Sequence, residues 1–254
     1  MKIARFSTGG DPRFGIVDGN EIVVLRGDPM FSGFDTTEER VPLAGVKLLA
    51  PVIPRSKVIA VGRNYRAHAA ESGNEVPTEP MLFFKPNTSV IGHDDAIVLP
   101  PHSTTVEFEG ELAVIIGSIA KNVAQADAAS VIFGYTVAND VSERNWQKSD
   151  GQWARAKGAD TFCPLGPIIE TEFVVEDNTI QSRVNGELKQ NASLTEMVHS
   201  VSSVIAFASA VFTLLPGDVI LTGTPAGVGP IVDGDVVEIT VSGIGTLRNP
   251  VRAG

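Results

Sequence analysis

Glycine and proline divide this chain into many short apolar runs. The 254 residues include 16 prolines and 25 glycines, which are scattered along the sequence and not gathered in one tract. Because these residues end regular elements, the pattern predicts many short strands and few helices. With 43% hydrophobic and 20% charged residues, the composition is that of a globular chain with a sizeable core. Strand-rich order without regular βαβ alternation favours the α+β class.

The N-terminal part of the sequence predicts a small β module. The runs "RFGIV" and "EIVVL" flank Asp18-Gly19-Asn20, which is a favourable hairpin turn. Pro51 and Pro54 then interrupt the chain before the motif-rich part begins. We therefore expect a module over residues 1–54 and a larger domain over residues 55–254.

The larger domain is predicted to contain mostly strands. They are expected around residues 82–84, 106–116, 133–139, 167–174, 180–184, 218–222 and 235–241. A capping box at Ser193-Leu-Thr-Glu196, followed by apolar residues at helical spacing up to Leu215, predicts a long helix that begins at Ser193. A shorter helix is expected over 125–131. His199 lies off the apolar stripe and is predicted to be on the surface.

Charge and targeting signals restrict the class of partner. The 30 acidic and 20 basic side chains give a net charge of -10, which should repel nucleic acid and anionic lipid. The longest apolar stretch, 204–215, is too short to span a bilayer. The N-terminus has no apolar signal region, and Cys163 is the only cysteine. We expect a cytoplasmic protein with a small-molecule partner.

The segment "VEFEGELAVIIG", residues 106–117, places acids in an apolar strand. Because side chains alternate between the faces of a strand, Glu107, Glu109 and Glu111 should share one face. The opposite face is apolar, so both faces are expected to be covered. Buried carboxylates have to be paired, protonated or bound to a metal. The alternative is a strand end that emerges into solvent at Glu107 and Glu109.

A further acid, Asp140, ends the apolar strand in "FGYTVANDVSERNWQ" and precedes a segment of helical character. It could cap that helix. It could also join Glu109 and Glu111, because hard carboxylate oxygens suit Mg²⁺ or Mn²⁺. Zinc is not favoured, since the histidines are scattered and there is no cysteine pair.

Several motifs occur together and in order from about residue 57 to the C-terminus. They are "GRNYRAH" followed by Glu71, "FFKP", "EFEGELAVIIG", "GYTVANDVSERNWQ", "KGADTFCPLGP" and "GDVILTGTPAGVG". In these motifs the chain resembles the fumarylacetoacetate hydrolase family, in its short bacterial acylpyruvase and oxaloacetate decarboxylase-like branch. The resemblance implies a mixed β-roll, a homodimer and a divalent-metal site with Glu109, Glu111 and Asp140 as ligands. The segment "VGRNY" lacks the additional metal-site acid of the eukaryotic fumarylacetoacetate hydrolases, which argues against fumarylacetoacetate as the substrate.

His68 and Glu71 are three residues apart in a predicted short helix with Asn64 as its cap and Gly73 as its end. In this spacing a carboxylate can orient an imidazole that acts as a base toward water. The alternative is an ordinary solvated pair. The family resemblance favours the catalytic interpretation and a lid that orders over substrate.

Four other residues are candidates for the site. Arg144 and Gln147 should share a helical face, from which they could hold a substrate carboxylate or face solvent. Lys157 lies in a predicted loop, and the resemblance makes it a catalytic-site cation where composition alone indicates a surface lysine. Thr224 lies in a glycine- and proline-rich turn that could bind a carboxylate, or could be a plain turn.

These features together predict a divalent-metal-dependent enzyme that cleaves a C–C bond of a short 2-oxo acid through a pyruvate enolate. The reaction would be oxaloacetate decarboxylation or acylpyruvate hydrolysis, with Mg²⁺ or Mn²⁺ as the Lewis acid and Lys157 beside the enolate oxygen. In hydrolysis His68 would activate water. An alternative is a 2-hydroxyhepta-2,4-diene-1,7-dioate isomerase or 5-oxopent-3-ene-1,2,5-tricarboxylate decarboxylase of aromatic catabolism. Another is a non-catalytic, metal-stabilised binding protein. Nucleotide binding is excluded, because no phosphate-binding loop is present.

Overall fold

The computed structural model describes residues 1–254 and consists mainly of strands. In chain order the strands are β1 Lys2–Ser7, β2 Arg13–Asp18, β3 Glu21–Leu25, β4 Thr36–Pro42, β5 Lys47–Leu48, β6 Val58–Gly62, β7 Met81–Lys85, β8 Val90–Ile91, β9 Ile97–Leu99, β10 Val106–Phe108, β11 Gly110–Ile116, β12 Ile132–Asn139, β13 Ser142–Glu143, β14 Cys163–Glu170, β15 Thr179–Val184, β16 Glu187–Ser193, β17 Val219–Leu221, β18 Gly229–Pro230, β19 Val236–Val241 and β20 Gly245–Ala253. The α-helices are α1 Pro29–Ser32, α2 Arg66–Glu71, α3 Arg144–Ser149, α4 Ala154–Gly158 and α5 Val201–Val211. The predicted α+β class is confirmed. None of these helices has the length and apolar character needed to cross a membrane.

The strands form three sheets. The largest has 12 strands, with the order β4-β3-β2-β1-β14-β12-β11-β17-β6-β7, while β5 pairs with β1 and β8 with β14. A second sheet has the order β16-β15-β19-β20-β9, and a third has β13-β10-β18. The predicted hairpin at Asp18 joins β2 to β3, and β1 pairs with β14, so the N-terminal strands extend the large sheet.

The core lies on both faces of the large sheet. On one face a cluster of 37 buried residues joins this sheet to the five-stranded sheet, and on the other face a cluster of 13 residues forms a smaller core. Strand β11 contributes to both by alternation. Leu112 and Val114 enter the larger cluster, whereas Ala113 and Ile115 enter the smaller one. The expectation that both faces of this strand are covered is confirmed.

Two predicted strands have different bounds in the structure. The strand expected over 106–116 is broken at Glu109, because β10 pairs with β13 and β18 while β11 pairs with β12 and β17. The strand expected over 167–174 lies earlier, at Cys163–Glu170.

The predicted helix from Ser193 begins later in the structure. The capping box of Ser193 and Glu196 forms, but it closes only a 3-10 turn over Leu194–Glu196. Helix α5 begins at Val201 with Ser200 as its cap. The intervening segment is held by the rest of the fold, since the Val198 N–H donates to the Asn64 carbonyl at 2.8 Å.

The shorter helix expected over 125–131 is confirmed and is a 3-10 helix, Gln125–Val131. The predicted surface position of His199 is wrong. His199 is half-buried, and its Nε2 lies 3.1 Å from the carbonyl oxygen of Pro77. The apolar stripe used for this prediction belonged to a helix that begins only after His199.

Candidate active site

One cleft of about 730 Å³ brings together every residue that was predicted for the site. These residues are His68, Glu71, Glu109, Glu111, Asp140, Arg144, Gln147, Lys157 and Thr224. Only 3 of the 20 residues that line the cleft are hydrophobic. Such a lining suits a small, polar and charged ligand.

The break between β10 and β11 positions the acids on the cleft wall. A Cβ at Gly110 would lie 2.3 Å from the Ser182 side-chain oxygen, so glycine permits the five-stranded sheet to approach here. The backbone around Glu109 is fixed by Asn139 Oδ1, which accepts from its N–H at 2.9 Å. The Asp140 N–H donates to the Glu109 carbonyl at 2.9 Å. These bonds hold Glu109 and Asp140 side by side.

Glu109, Glu111 and Asp140 form a buried carboxylate cluster. One oxygen of each lies within 4.8 Å of the others, and the residues are 4%, 1% and 1% exposed. Burial, together with the charges of Asp140 and Glu109, raises the pKa of Glu111 well above its usual value. Concentrated negative charge on hard oxygen ligands fits a divalent cation such as Mg²⁺ or Mn²⁺.

The alternatives for these acids are wrong. Glu109 does not emerge into solvent, although Glu107 is half-buried at the cleft. Asp140 is not a helix cap, because α3 is capped by Glu143, whose carboxylate accepts from the Trp146 N–H.

Two buried lysines contact the carboxylate cluster. Lys157 Nζ lies 2.6 Å from Glu109 Oε2 and 2.7 Å from Asp140 Oδ2. Lys85 Nζ lies 2.5 Å from Asp140 Oδ1 and also donates to the backbone carbonyl of Lys157. Burial opposes the charge on Lys157, but Asp140 and Glu109 outweigh it and raise the pKa of this lysine. Burial opposes the charge on Glu109 as well, but Lys157 and Arg144 outweigh it and lower the pKa of this carboxyl.

Lys157 was expected in a loop and lies instead in helix α4, where its N–H donates to the Trp153 carbonyl at 2.9 Å. A five-residue helix is too short to give a periodic pattern.

Lys85 was missed as a site residue. Its signal is a lysine directly after the apolar run "MLFF", because a lysine in a buried strand requires a partner.

Arg144 lies between two acids and Gln147. Its Nε and Nη2 lie 2.6 Å from Glu107 Oε2 and from Glu109 Oε1, and its Nη1 donates to Gln147 Oε1 at 2.9 Å. Arg144 and Gln147 thus share a face of α3, as predicted. The guanidinium contacts protein carboxylates and orients Glu109, so a contact with a substrate carboxylate stays a prediction.

His68 and Glu71 meet at the mouth of the cleft. Nδ1 of His68 lies 3.4 Å from Glu71 Oε2, and His68 is only 8% exposed. Both oxygens of Glu71 accept from the Gly227 N–H, at 3.1 and 3.2 Å. The bond joins α2 to the "GTPAGVG" loop. Asn64 does not cap α2, contrary to the prediction, because its side chain bonds to Thr222 and His199.

Thr224 is buried at the cleft wall, where its Oγ1 accepts from Gln190 Nε2 at 2.7 Å. This bond leaves the hydroxyl proton of Thr224 free to donate to a ligand oxygen. Gln190 also accepts from the Gly110 N–H at 3.0 Å, so it links the Thr224 loop to the start of β11. Sequence reasoning missed Gln190, because a glutamine in an alternating strand carries no distinguishing signal.

Comparison with known families covers nearly the whole chain. Residues 57–252 match the family described as "Fumarylacetoacetate (FAA) hydrolase C-terminal", and residues 1–51 match "Rv2993c-like, N-terminal". The two matches meet close to the predicted boundary.

Individual proteins with related sequences and structures have enzyme names. The chain is 43% identical over 232 residues to "Oxaloacetate tautomerase fahd2, mitochondrial" of Xenopus laevis, covering 87% of this chain and 73% of that protein. It is 46% identical to 2-hydroxyhepta-2,4-diene-1,7-dioate isomerase from Mycobacterium marinum, with a TM-score of 0.92 and coverage of 100% and 98%. A maleylpyruvate hydrolase from Sphingobium sp. SYK-6, in complex with manganese (II) ion and pyruvate, is 35% identical with a TM-score of 0.82 and full coverage of both chains.

Proposed function

Because the chain belongs to the fumarylacetoacetate hydrolase family, whose members are enzymes, we propose that it is a divalent-metal-dependent enzyme that cleaves a C–C bond of a short 2-oxo acid. The reaction passes through a pyruvate enolate. The observation that carries this proposal is the buried cluster of Glu109, Glu111 and Asp140, which lies in the same cleft as the His68–Glu71 pair and Lys157.

Glu109, Glu111 and Asp140 would hold the ion, which is Mg²⁺ or Mn²⁺. Their charge supports this assignment, because three carboxylates face only two lysine ammonium groups and Arg144 is shared with Glu107. A bound divalent ion would supply Lewis acidity to the 2-oxo group of the substrate. The manganese and pyruvate in the related maleylpyruvate hydrolase are consistent with this chemistry.

The chain's own residues orient the substrate and stabilise the charge that develops. The free hydroxyl proton of Thr224 donates to the substrate carboxylate. Lys157 places an ammonium group where negative charge grows on the enolate oxygen. Its raised pKa keeps it protonated at neutral pH.

One site serves two cleavage reactions. In oxaloacetate decarboxylation the C3–C4 bond breaks, CO₂ leaves, and the electron pair forms the enolate, which then takes a proton at C3. In acylpyruvate hydrolysis His68 takes a proton from water as the water oxygen bonds to C4. The C3–C4 bond then breaks to give a carboxylic acid and the same enolate. Glu71 holds the imidazole in the orientation that this proton transfer requires.

A second candidate is keto–enol tautomerisation of a 2-oxo acid, which moves a proton between oxygen and C3 and breaks no carbon–carbon bond. The oxaloacetate tautomerase relative favours it. The isomerase relative from Mycobacterium marinum extends the same chemistry to unsaturated dicarboxylic acids.

A substrate panel tests the proposal. Oxaloacetate, acetylpyruvate and 2-hydroxyhepta-2,4-diene-1,7-dioate are assayed with Mg²⁺, with Mn²⁺ and after chelation, and pyruvate, CO₂ and the loss of enol absorbance are recorded separately. We expect metal-dependent pyruvate formation from oxaloacetate or acetylpyruvate. Enol loss without pyruvate would select the second candidate, and no metal-dependent turnover of any substrate would refute both. We also propose a homodimer, which a light-scattering mass near 26.8 kDa would contradict.

A further inference from the structure

Two cations that line the cleft make no ion pair, in contrast to Lys157 and Arg144. Lys157 contacts Glu109 and Asp140, and Arg144 contacts Glu107 and Glu109. Arg63 and Lys148 also line the cleft, but neither has an ion-pair or side-chain hydrogen-bond partner in the structure. Arg63 is half-buried, whereas Lys148 is exposed at the mouth. Arg63 is therefore a cation on the cleft wall that is free to pair with an anionic group of a ligand.

The backbone that carries Arg63 is held in an unusual conformation. Arg63 has a φ of 57°, which is uncommon for a residue other than glycine. The next residue is fixed on both sides, because the Asn64 side chain donates to Thr222 and His199 carbonyls at 2.7 and 3.0 Å. Its Oδ1 also accepts from the His199 N–H at 2.8 Å. The fold therefore fixes the position of Arg63 in a conformation that a free loop would avoid.

Arg63 and Trp153 both line the cleft, and the residue before Arg63 packs against Trp153. This residue, Gly62, packs so tightly that a Cβ there would be 3.1 Å from the Trp153 ring. Trp153 precedes α4, and Lys157 lies one helical turn further, about 6 Å along the axis. Arg63 and Lys157 both line the cleft but come from different elements, since Arg63 follows β6 and Lys157 lies in α4.

We propose that Arg63 binds the second carboxylate of a dicarboxylic 2-oxo acid, at the end opposite the chelating group. This inference rests on the proposed function and narrows its substrate class to diacids. A guanidinium matches a carboxylate with two parallel hydrogen bonds. The contact with Arg63 stabilises the second carboxylate, which is kept in the product of some reactions and lost in others. Arg63 therefore favours tautomerisation, or hydrolysis of an acylpyruvate with an acidic acyl group, over loss of that carboxylate as CO₂.

The test uses two unreactive ligands with the same four-carbon skeleton. Malate and 2-hydroxybutanoate share a 2-hydroxy acid end and differ only in a carboxylate or a methyl group at C4. Calorimetric titration at saturating Mg²⁺ is carried out on wild type, Arg63→Gln, Arg63→Lys, Lys148→Gln and Arg66→Gln. Arg66 is the matched control, since it is an exposed arginine on the adjacent helix and does not line the cleft.

Wild type should bind malate about 10- to 100-fold more tightly than 2-hydroxybutanoate, as expected for a charge-assisted contact. Arg63→Gln should remove most of this preference and leave 2-hydroxybutanoate affinity unchanged, which also shows that the site is intact. Arg63→Lys should retain part of the preference, and Arg66→Gln all of it. If Arg63→Gln does not fold, Arg63→Gly replaces it, because glycine adopts a φ of 57° without strain.

Three results would overturn the inference alone. The first is no preference for malate in wild type. The second is an equal loss of affinity for both ligands in Arg63→Gln. The third is loss of the malate preference in Lys148→Gln but not in Arg63→Gln. If neither ligand binds wild type with Mg²⁺ while the substrate panel shows turnover, the assignment of Arg63 fails and the proposed function stands. If the panel also shows no turnover, both fail.

Discussion

The ammonium group of Lys157 lies 2.7 Å from Oδ2 of Asp140, and both side chains are buried. The other oxygen of Asp140 accepts from Lys85 at 2.5 Å. Both oxygens of this candidate metal ligand are therefore paired with lysines, and a divalent ion has to share Asp140 with at least one of them. The two lysines thus hold the Asp140 side chain in place and limit the net negative charge of the site.

Lys157→Met should slow oxaloacetate decarboxylation and acylpyruvate hydrolysis together. Both reactions develop negative charge on the enolate oxygen, and the variant lacks the cation beside it. We expect kcat to fall by about 10²- to 10³-fold for each substrate, as for loss of one stabilising donor. Steady-state kinetics at saturating Mg²⁺ measure this, and a loss confined to one substrate would contradict a role at the shared enolate.

Glu109→Gln, Glu111→Gln and Asp140→Asn should each weaken Mg²⁺ binding. Each substitution keeps the shape of the side chain and removes an anionic oxygen ligand. Glu107→Gln is the control, because its carboxylate contacts Arg144 and is not in the cluster. Calorimetric titration should show a clear loss of affinity in the first three variants and a smaller effect in the control. Unchanged affinity in all three would refute the metal site.

Lys85→Met should destabilise the protein, and Mg²⁺ should restore part of the loss. The variant leaves buried Asp140 without one cation and the Lys157 carbonyl without its donor. Breaking such a pair costs about 3–5 kcal/mol of unfolding free energy. Because a divalent ion would replace part of the missing positive charge, added Mg²⁺ should raise the Tm of Lys85→Met more than that of wild type.

The matched control for this variant is Lys57→Met. Lys57 pairs with buried Asp218 at 2.6 Å, and neither residue lines the cleft. It should lose stability without any additional response to Mg²⁺. An equal Mg²⁺ response in Lys57→Met and Lys85→Met would show that Lys85 does not act at the metal site.

Sequence predicted those parts of the fold that depend on local pattern. Alternation along residues 110–116 correctly assigned both faces of β11, because each face packs against a different core cluster. The helix start at Ser193 was wrong for a reason outside the local pattern. The Asn64 carbonyl, 134 positions away from Val198, accepts the N–H that a continuous helix would have used.

In the candidate site, too, sequence predicted only what depends on a local pattern or on the family resemblance. The acids were visible because carboxylates are unusual in a buried strand. The break at Glu109 was not visible, since it depends on the close approach of Ser182 to Gly110. His68 and Lys157 were assigned from the family resemblance. Lys85 has a local signal, but its partner Asp140 is distant in sequence. Gln190 and Arg63 carry no such signal, and their positions at the cleft emerge only in the folded chain.

The single cysteine should be unreactive in the native protein. Cys163 is fully buried in β14, and burial raises the pKa of its thiol to about 12. Because the thiolate is the nucleophile, a pKa above the working pH removes the reactive form. A chromogenic disulfide reagent at pH 8 should titrate no thiol in the native state and one in guanidinium chloride. Rapid native reaction would contradict the burial of this strand.

His68→Ala should separate the two cleavage reactions. Hydrolysis needs a base to take a proton from the attacking water, whereas decarboxylation of oxaloacetate requires no water. Acylpyruvate cleavage should therefore fall by about 10²- to 10⁴-fold, while decarboxylation falls much less. The measurement is kcat/KM for acetylpyruvate and oxaloacetate, with Mg²⁺ affinity determined separately by calorimetry.

Glu71→Gln provides the companion variant, because it weakens the orientation of His68 and keeps the imidazole. In wild type the Glu71 carboxylate also accepts from the Gly227 N–H, so the substitution tests the hydrogen bond between α2 and the "GTPAGVG" loop as well. A base oriented by Glu71 predicts a smaller loss in Glu71→Gln than in His68→Ala, confined to the same substrate. Equal losses on both substrates in His68→Ala, with Mg²⁺ binding intact, would mean that His68 holds substrate or closes the cleft and does not act as a base.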